Sequence, residues 1–458
     1  MPVIIVGAGI TGLAAAFELA ERRIPFVLLE ASDRPGGLIL TEKIDGFTIE
    51  AGADSLLAQK PAGVGLCEAL GLAPRLIATT PPRVAYVLAS GRLHALPSSA
   101  MLGIPTSWMA VARYDLLSWR GRARIALEPL VRRRGSGAGD ESIAAFFRRR
   151  FGEECVTRVA EPLLGGIHAG DVERLSLRSL FPRLGEAEAR RGSVLRALRR
   201  TRRSNADGAF RSLSSGMGEL VTALARRLPD GSLRCGVAAA ALHGDADGWR
   251  LETGRGEAFR GRAVILALPA HAASRVVSGL DAGLADLCAE VPYVSTVSVA
   301  LSWPRAEVGH ALAGSGFVVA RTADAPRITA CTWVSSKWAG RAPAGWTLLR
   351  TYMGGANDPG AIALSDEELV QISVDGISPV LGIGSPPHLS RVYRWPNAGA
   401  QHNVGHLARL ERIEARLAGL PGVFAAGSGF RSIGIPDCVA DGRAAAATAA
   451  QFAAARDR

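Results

Sequence analysis

Three glycines near the N-terminus have the spacing of a phosphate-binding turn. Gly7, Gly9 and Gly12 follow a short apolar run at 3–6, and Glu30 ends the next apolar run. Gly7 permits a tight turn, Gly9 lets the backbone approach a pyrophosphate, and Gly12 lets helix and strand pack closely. The alternative is a turn of similar sequence without a ligand. The pattern, with Glu30 placed to bind a ribose hydroxyl, predicts an adenine dinucleotide at a helix start, held by Gly7, Gly9, Ile10, Thr11, Gly12 and Glu30.

The residues after Glu30 indicate which dinucleotide is bound. Arg34, Gly36 and Gly37 complete an E-x-x-x-R-x-G-G pattern, which resembles FAD enzymes of the amine oxidase and glutathione reductase type. Residues 47–55 resemble the segment that runs beneath the flavin in that group. Arg34 then reaches a phosphate, or alternatively forms an ordinary surface ion pair. The resemblance implies FAD contacts from Ala31, Arg34, Gly36, Gly37, Gly52, Ala53, Asp54 and Ser55.

A parallel sheet has to position these residues, and its strands come from distant parts of the chain. Apolar runs at 3–6, 25–29, 263–268 and 423–426 are typical of buried parallel strands. The last run leads through a small-residue turn into an alanine-rich helix at 440–455, whose start would aim its amides at the flavin. The FAD domain is therefore predicted from segments 1–80, 211–270 and 405–458, with further cofactor contacts from Val237, Gly427, Ile435 and Pro436.

Four further segments narrow the resemblance. They are RVAYVLASGRLHALP at 83–97, EPLLGGIHAGD at 161–171, SLSSGMG at 212–218, and Gly405–His406 ahead of 434–438. Over nearly the whole chain the sequence resembles oxygen-dependent protoporphyrinogen oxidases, including the branch that oxidises coproporphyrinogen. The resemblance implies no metal and no defined catalytic side chain. It implies substrate contacts from Arg83, Gly165, Gly166 and His168, for which a surface arginine, a helix-breaking turn and a structural histidine are the alternatives.

The resemblance also implies an α/β fold of three lobes. A discontinuous Rossmann-like FAD domain would carry an α+β substrate-binding domain at 81–97 and 271–404. A basic helical lobe at 98–210 would contact a membrane. The implied reaction removes six electrons from a porphyrinogen in three two-electron steps, with O2 reduced to H2O2.

The substrate is a choice between two tetrapyrroles. Either needs an apolar slot over the flavin and a cationic anchor for its propionates, and Arg83 is the expected anchor. Protoporphyrinogen IX is the favoured substrate and coproporphyrinogen III the alternative. An amine oxidase, a carotenoid desaturase or a non-catalytic dinucleotide-binding adaptor are more distant options. The predicted strand at 294–303 has no lysine, which argues against amine oxidation. The sequence departs from the family at 398–402, so no role is assigned to that loop.

Charge is concentrated in the helical lobe. The chain of 458 residues has a net charge of +11, and all but three of its 53 basic residues are arginines. Most of the net charge lies between 113 and 203, in arginine runs at 132–134, 148–150 and 199–203, near Trp108, Tyr114 and Trp119. Arginine beside tryptophan suits an anionic membrane surface. A solvated helix face is the plain alternative, and nucleic acid is disfavoured because no nucleic-acid-binding motif accompanies the arginines.

Composition sets the outer limits. With 48% hydrophobic and 21% charged residues, the chain is excluded from the disordered classes. Its six cysteines form no CxxC pair, so neither a disulfide framework nor a zinc site is expected. No apolar run is long enough to span a bilayer, and the apolar N-terminus lacks the basic start of a signal peptide. These features predict a cytoplasmic protein peripheral to the inner face of the membrane; a homodimer stays open.

Overall fold

A five-stranded parallel sheet forms one centre of the molecule. The computed structural model describes residues 1–135, 139–199, 208–322, 324–431 and 433–455. The strand Val3–Val6 is fully buried in the middle of the sheet, as its β-branched residues favour. All neighbouring strands run parallel. In spatial order the strands are Leu233–Arg234, Phe26–Leu29, Val3–Val6, Ala263–Leu266 and Val423–Ala425.

Both faces of this sheet are covered, as a parallel sheet requires. One face packs against the helices Pro61–Ala69, Ile10–Glu21, Gly218–Arg227 and Ile435–Ala455. The last of these begins five residues before the predicted 440 and packs along Ile10–Glu21. The other face meets the antiparallel strands Ala239–Asp245, Gly248–Thr253 and Ala258–Gly261, and the helices Ala270–Val277, Ala282–Ala289 and His406–Ala418. The predicted boundary at 271 gives two of these helices to the substrate-binding domain, although they pack beneath this sheet.

A seven-stranded mixed sheet forms the second centre. Its long strand Tyr293–Pro304 includes the predicted 294–303 and is buried from Val297 to Trp303. The helix Asp366–Leu381 covers one face and begins in a capping box formed by Ser365 and Glu368. Among the described strands of this mixed sheet, only one neighbouring pair runs parallel, Gly316–Val319 with Ala85–Ala89. In spatial order the strands are Leu389–Ala400, Tyr293–Pro304, Trp346–Gly354, Ala330–Trp333, Gly316–Val319, Ala85–Ala89 and Arg92–Ala95.

The helical lobe has its own aromatic core. Phe146 packs edge to face on both Phe147 and Phe151, and the Phe147 and Phe151 rings are tilted against each other. All three side chains are fully buried, as is Tyr114. A π-helix at Val156–Gly165, a form in which an extra residue widens the turn, accommodates Pro162. No described helix is long and apolar enough to cross a membrane. The helices are Trp108–Ala112, Trp119–Ala126, Ile143–Phe151, Glu153–Cys155, Val156–Gly165, Gly166–His168, Leu177–Leu180, Pro182–Arg191 and Val194–Leu198.

One of the predicted arginine runs is internal to this lobe. Arg150 is fully buried and pairs with Glu128 and Glu188. Arg149 pairs with Glu141 and Glu188, and Arg148 pairs with two acids on the lobe surface. The run at 148–150 therefore holds the lobe together, and the prediction that it belongs to an outward basic surface is wrong for Arg150. Part of the third run, 200–203, lies outside the described residues.

Short elements connect the three parts. The hairpin Thr41–Ile44 with Phe47–Glu50 leads from the parallel sheet toward the mixed sheet. The remaining strands are Leu56–Leu57, Leu76–Ala78 and Phe210–Leu213 in one small sheet, and Ala100–Met101 with Ile104–Pro105 in another. The remaining helical turns are Ala73–Arg75, Glu128–Leu130, Arg305–Glu307, Val334–Lys337 and Pro359–Ala363.

Candidate functional site

The glycine turn after Val3–Val6 has the geometry of a phosphate cradle. Gly7 has φ +99°, and a Cβ there would lie 2.5 Å from the Ala267 carbonyl oxygen. A Cβ at Gly12 would lie 1.8 Å from the Gly7 carbonyl oxygen. A Cβ at Gly9, by contrast, meets no described heavy atom within 4 Å. Gly7 and Gly12 are therefore required by packing, while Gly9 keeps open the side of the turn where Ile10 and Thr11 begin a helix, whose first amides have no partner within the helix.

Glu30 stands at the end of the neighbouring strand, beside this turn. Its Oε2 accepts a hydrogen bond from the Ala8 amide at 2.7 Å. Its Oε1 accepts from the Ser32 amide at 2.9 Å and from the Ser32 hydroxyl at 2.6 Å. The Val237 amide donates to the Glu30 carbonyl at 2.8 Å, which brings that predicted residue to the same strand end. Ala31 follows in the turn, and the oriented carboxylate can receive the hydroxyls of a ribose.

The turn after Ala31 closes over the glycine turn. The Gly36 amide donates to the Ala8 carbonyl at 2.8 Å, and a Cβ at Gly37 would lie 3.2 Å from the Gly9 Cα. Both residues have positive φ, which glycine adopts without strain. The Arg34 guanidinium donates to the carbonyls of Pro35, Gly37 and Ile39, so it helps to hold this turn. Its contact with a phosphate stays a prediction.

The segment 50–55 lies against that turn and is held from the mixed sheet. A Cβ at Gly52 would lie 2.0 Å from the Leu38 carbonyl oxygen, and the Ala53 amide donates to the same oxygen at 3.3 Å. Three side chains of the sheet donate to its carbonyls. Ser298 and Trp395 reach Ala51 at 2.8 and 3.0 Å, and Arg350 reaches Gly52 at 3.0 Å and also Glu50.

Asp54 is part of a buried charge cluster. Its carboxylate accepts from Lys337 Nζ at 2.9 Å and from the Ser55 hydroxyl, and Arg350 Nη2 lies 3.5 Å away. Burial raises the pKa of Asp54, but Lys337 and Arg350 outweigh burial and hold this pKa well below its usual range. The predicted cofactor contacts Asp54 and Ser55 are therefore engaged with the protein. Sequence reasoning missed Lys337, although its rarity as one of three lysines was a signal.

The C-terminal return completes the cradle. Gly427 has φ +112°, its amide donates to Asp441 at 2.7 Å, and a Cβ there would lie 3.2 Å from the Thr11 hydroxyl. Ile435 and Pro436 begin the long helix and are buried. The turn before this helix is thus brought to the start of Ile10–Glu21. The turn is open at Gly9, the Glu30 carboxylate is oriented, and two helix starts converge there. This arrangement fits an FAD molecule.

A cleft of about 370 Å³ separates the helical lobe from the mixed sheet. Gly165 and Gly166 line one wall. A Cβ at Gly165 would press on Val172 at 3.0 Å, whereas a Cβ at Gly166 meets no described atom within 4 Å. Gly166 therefore leaves room for a flat ligand beside the backbone. The rest of the lining includes Glu161, Pro162, Ala169, Gly170, Val319, Arg321, Ala325, Pro326, Arg327, Ile328, Gly354 and Asp358.

The other two predicted substrate contacts are outside the lining of this cleft. Arg83 is an exposed residue whose Nε donates to the Thr79 carbonyl and hydroxyl at 3.0 and 3.1 Å. His168 stacks edge to face on Phe181, and its carbonyl accepts from Gln401 at 2.9 Å. Burial lowers the pKa of His168 to about 4, so its ring is neutral near pH 7. The structure does not bring Arg83 and His168 together with Gly165 and Gly166 along this cleft.

A stacked histidine pair joins all three parts of the molecule. The rings of His402 and His406 lie 3.8 Å apart and nearly parallel. His402 contacts the Ser179 hydroxyl of the lobe at 3.0 Å and the Ser428 carbonyl of the FAD-binding return at 2.9 Å, and it follows the mixed-sheet strand Leu389–Ala400 by two residues. Burial lowers the pKa of His402 to about 3, and the neighbouring His406 adds to this. No role was predicted for the loop 398–402, although the four-residue spacing of His402 and His406 was an available signal.

Comparisons with known proteins agree with this architecture. Residues 10–450 match the family described as flavin containing amine oxidoreductase, which confirms the prediction of FAD as cofactor. A coproporphyrinogen III oxidase of Bacillus subtilis strain 168 is 36% identical, over 98% of both chains. Protoporphyrinogen oxidase 1 from chloroplasts of Spinacia oleracea is 28% identical, over 98% of this chain and 84% of its own.

The similarity extends to a solved structure. A provisionally named protoporphyrinogen oxidase from Exiguobacterium sp. 255-15 superposes with a TM-score of 0.85 at 31% identity, over 98% of each chain. The α/β fold class and the resemblance found in the sequence are confirmed by these matches. The chain therefore belongs to the flavin-containing amine oxidoreductases and, within them, to the family of protoporphyrinogen and coproporphyrinogen oxidases.

Proposed function

We propose that this flavin oxidoreductase converts coproporphyrinogen III to coproporphyrin III. The observation that carries the choice is the higher identity to a full-length coproporphyrinogen III oxidase, 36% against 28% for a protoporphyrinogen oxidase. The substrate favoured by the sequence analysis, protoporphyrinogen IX, thus becomes the second candidate. Removal of six electrons in three two-electron steps consumes three O2 and yields three H2O2.

The residues of the chain bind and orient, while the cofactor supplies the redox chemistry. When bound, FAD accepts a hydride equivalent from a substrate and passes two electrons to oxygen. Gly9, the helix start at Ile10 and Glu30 would hold its pyrophosphate and ribose. The sheet side chains that bind the 50–52 carbonyls fix the segment packed against the glycine turn. Gly165 and Gly166 would let the tetrapyrrole ring lie against the backbone, and Arg83 remains the proposed partner of one propionate.

The test is formation of porphyrin by the purified yellow holoenzyme under air. Coproporphyrinogen III and protoporphyrinogen IX are supplied in parallel, and porphyrin fluorescence and peroxide are recorded. We expect a higher kcat/KM for coproporphyrinogen III and one peroxide for each two electrons removed. A higher kcat/KM for protoporphyrinogen IX would return the choice to the second candidate. Absence of fluorescence from both, with flavin bound, would refute the proposed function.

We also propose that the helical lobe docks on an anionic membrane surface. Trp119 and Leu130 are 69% and 76% exposed, and Trp108, Met109 and Leu127 are exposed on the same lobe. Arg120 lies over the Trp119 ring and Arg199 over the Trp108 ring. Exposed tryptophan beside arginine is the combination that an interface between lipid and water accepts. The run at 132–134, which is exposed, can add to the attraction.

A further inference from the structure

Two arginines line the same cleft as Gly165 and Gly166. Arg321 and Arg327 lie in the loop that follows the strand Gly316–Val319, outside every segment that the motifs singled out. Each side chain is 42% exposed, and each is paired with an acid that also lines the cleft. Among the described lining residues, these two ion pairs account for all the charged side chains. The rest of the lining is neutral and largely apolar or glycine.

The first pair crosses the cleft. Arg321 Nε lies 3.1 Å from Oε1 of Glu161. Glu161 belongs to the π-helix of the lobe, whereas Arg321 lies in a loop between two strands of the mixed sheet. The two walls are thus joined at this point by one half-exposed contact. A guanidinium has five N–H donors, so a single contact through Nε leaves most of them available to a second carboxylate.

The second pair lies on one wall. Arg327 donates from Nε and Nη2 to the two carboxylate oxygens of Asp358, at 2.8 and 2.9 Å. This bidentate geometry fixes the plane of the guanidinium, so its remaining N–H groups have a set direction. A fixed, half-exposed guanidinium loses little side-chain entropy when a ligand carboxylate approaches.

Glu161 can lose Arg321 as its partner without remaining charged. Burial raises the pKa of Glu161, Arg321 opposes that rise, and Asp171 and Glu173 add to it. When another carboxylate takes its place beside Arg321, Glu161 can therefore take up a proton instead of remaining a buried, unpaired charge.

We infer that Arg321 and Arg327 bind carboxylate arms of the porphyrinogen at this cleft, with a substrate carboxylate replacing Glu161 as the partner of Arg321. The inference rests on the proposed function and deepens it. Coproporphyrinogen III carries propionates at two positions where protoporphyrinogen IX carries vinyl groups. Two extra arginines at the rim therefore favour the more highly carboxylated substrate, because each vinyl leaves a cation without an added partner.

Opposite effects from the two members of the crossing pair test this inference. In the holoenzyme, Arg321→Gln and Arg327→Gln are expected to raise KM for coproporphyrinogen III by about tenfold, the size of a lost charge-assisted hydrogen bond. The rise for protoporphyrinogen IX is smaller, and kcat changes little. Glu161→Gln is expected to lower KM for coproporphyrinogen III, because Arg321 loses its competing partner. Arg260→Gln, which removes a surface arginine paired with Asp245 far from the cleft, is the matched control.

A binding measurement keeps the test independent of turnover. Quenching of coproporphyrin fluorescence by the holoenzyme gives the affinity of each variant, with Arg321→Lys expected between Arg321→Gln and the parent. If Arg321→Gln and Glu161→Gln shift KM in the same direction, or if Arg321→Gln affects both porphyrinogens equally, the inference is overturned while the proposed function stands. If the parent protein oxidises neither porphyrinogen, the proposed function fails and the inference fails with it.

Discussion

At the scale of single residues, two glycines of one turn have different roles. Gly12 has no room for a methyl group, because the Gly7 carbonyl oxygen would lie 1.8 Å from it, whereas Gly9 faces open space with an ordinary φ of −65°. We therefore expect Gly9→Ala to leave the free energy of unfolding of the apoprotein within about 0.5 kcal/mol of the parent. The same change should weaken FAD binding strongly, because the methyl group occupies the phosphate side of the turn.

Gly12→Ala should already destabilise the apoprotein, before FAD is bound. The helix Ile10–Glu21 cannot keep its packing on the strand, so we expect a loss of stability on the order of 3 kcal/mol even without FAD. Urea unfolding of the apoproteins and titration with FAD, followed by flavin fluorescence, separate the two effects. Equal loss of apoprotein stability in both variants would contradict the roles given to Gly9 and Gly12.

The stacked histidines predict a pH dependence of stability. His402 is 2% exposed, and burial lowers its pKa to about 3, against a value near 6.5 when unfolded. The unfolded chain therefore binds a proton that the folded chain refuses between these two values. Stability is present in full above the unfolded pKa and falls as the pH falls below it, by about 2 kcal/mol between pH 7 and pH 5 for one such histidine.

His402→Gln should remove this contribution to the pH dependence of the free energy of unfolding. Urea unfolding at pH 7 and pH 5 gives the difference, which should be smaller in the variant than in the parent. Thr222→Ala, at an exposed residue that carries no titratable group, is the control and should leave the pH dependence unchanged. A slope that persists in His402→Gln would mean that other groups cause the acid sensitivity.

At the scale of elements, the segment 50–54 is held by the mixed sheet as well as by its own hairpin. Arg350 is 4% exposed, donates to the carbonyls of Glu50 and Gly52, and also donates from Nε to the Tyr352 hydroxyl oxygen at 2.6 Å. It also lies near Asp54 and Glu50, so its charge balances two buried acids. The substrate-binding sheet thereby positions the segment that packs on the glycine turn.

Arg350→Met should release this segment. Loss of the guanidinium leaves the buried Glu50 and Gly52 carbonyls without this donor and Asp54 with Lys337 alone, at a cost of about 3–5 kcal/mol in the free energy of unfolding. We expect weaker FAD retention on gel filtration as well, because the 50–52 carbonyls lose a donor. Arg260→Met, a surface change, is the control. Unchanged FAD retention in a folded Arg350→Met protein would show that the sheet does not position this segment.

The elements that follow local rules were predictable from the sequence, and those that depend on distant partners were not. The glycine turn, its strand and the acid Glu30 form one local unit, so their spacing predicted their arrangement. The contacts of Arg34 with the carbonyls of Pro35, Gly37 and Ile39 were not predictable, because sequence spacing says nothing about which rotamer its side chain adopts. Arg321 and Lys337 reach acids 160 and 283 positions away, and such pairings leave no local pattern.

At the scale of the whole molecule, the charge of the lobe divides into an internal and an external part. Arg149 and Arg150 are paired with acids within the lobe, whereas Arg120, Arg132 and Arg133 are among the arginines that are exposed, as is Trp119. Membrane docking should therefore depend on the exposed groups of the lobe and not on the net charge of the chain.

Vesicle flotation tests this division. We expect the holoenzyme to float with phosphatidylglycerol vesicles at low salt and to dissociate at high salt, because screening weakens the attraction between arginine and lipid headgroups. Trp119→Ala with Leu130→Ala should reduce flotation severalfold with unchanged porphyrin formation in detergent. Equal flotation with neutral phosphatidylcholine vesicles, or none with either, would contradict docking on an anionic surface.

The strand order of the parallel sheet also has a consequence for biosynthesis. The central strand Val3–Val6 is made well before its sheet is complete, because Ala263–Leu266 and Val423–Ala425 come much later in the chain. The helical lobe, whose aromatic core of Tyr114, Phe146, Phe147 and Phe151 lies within one continuous stretch, can begin to fold on the emerging chain before that point. The last helix, Ile435–Ala455, packs on Ile10–Glu21 and closes the cradle. We therefore expect FAD to bind stably only after these late segments have been made, and a ribosome-stalled chain that ends before residue 423 should expose the glycine turn without retaining flavin.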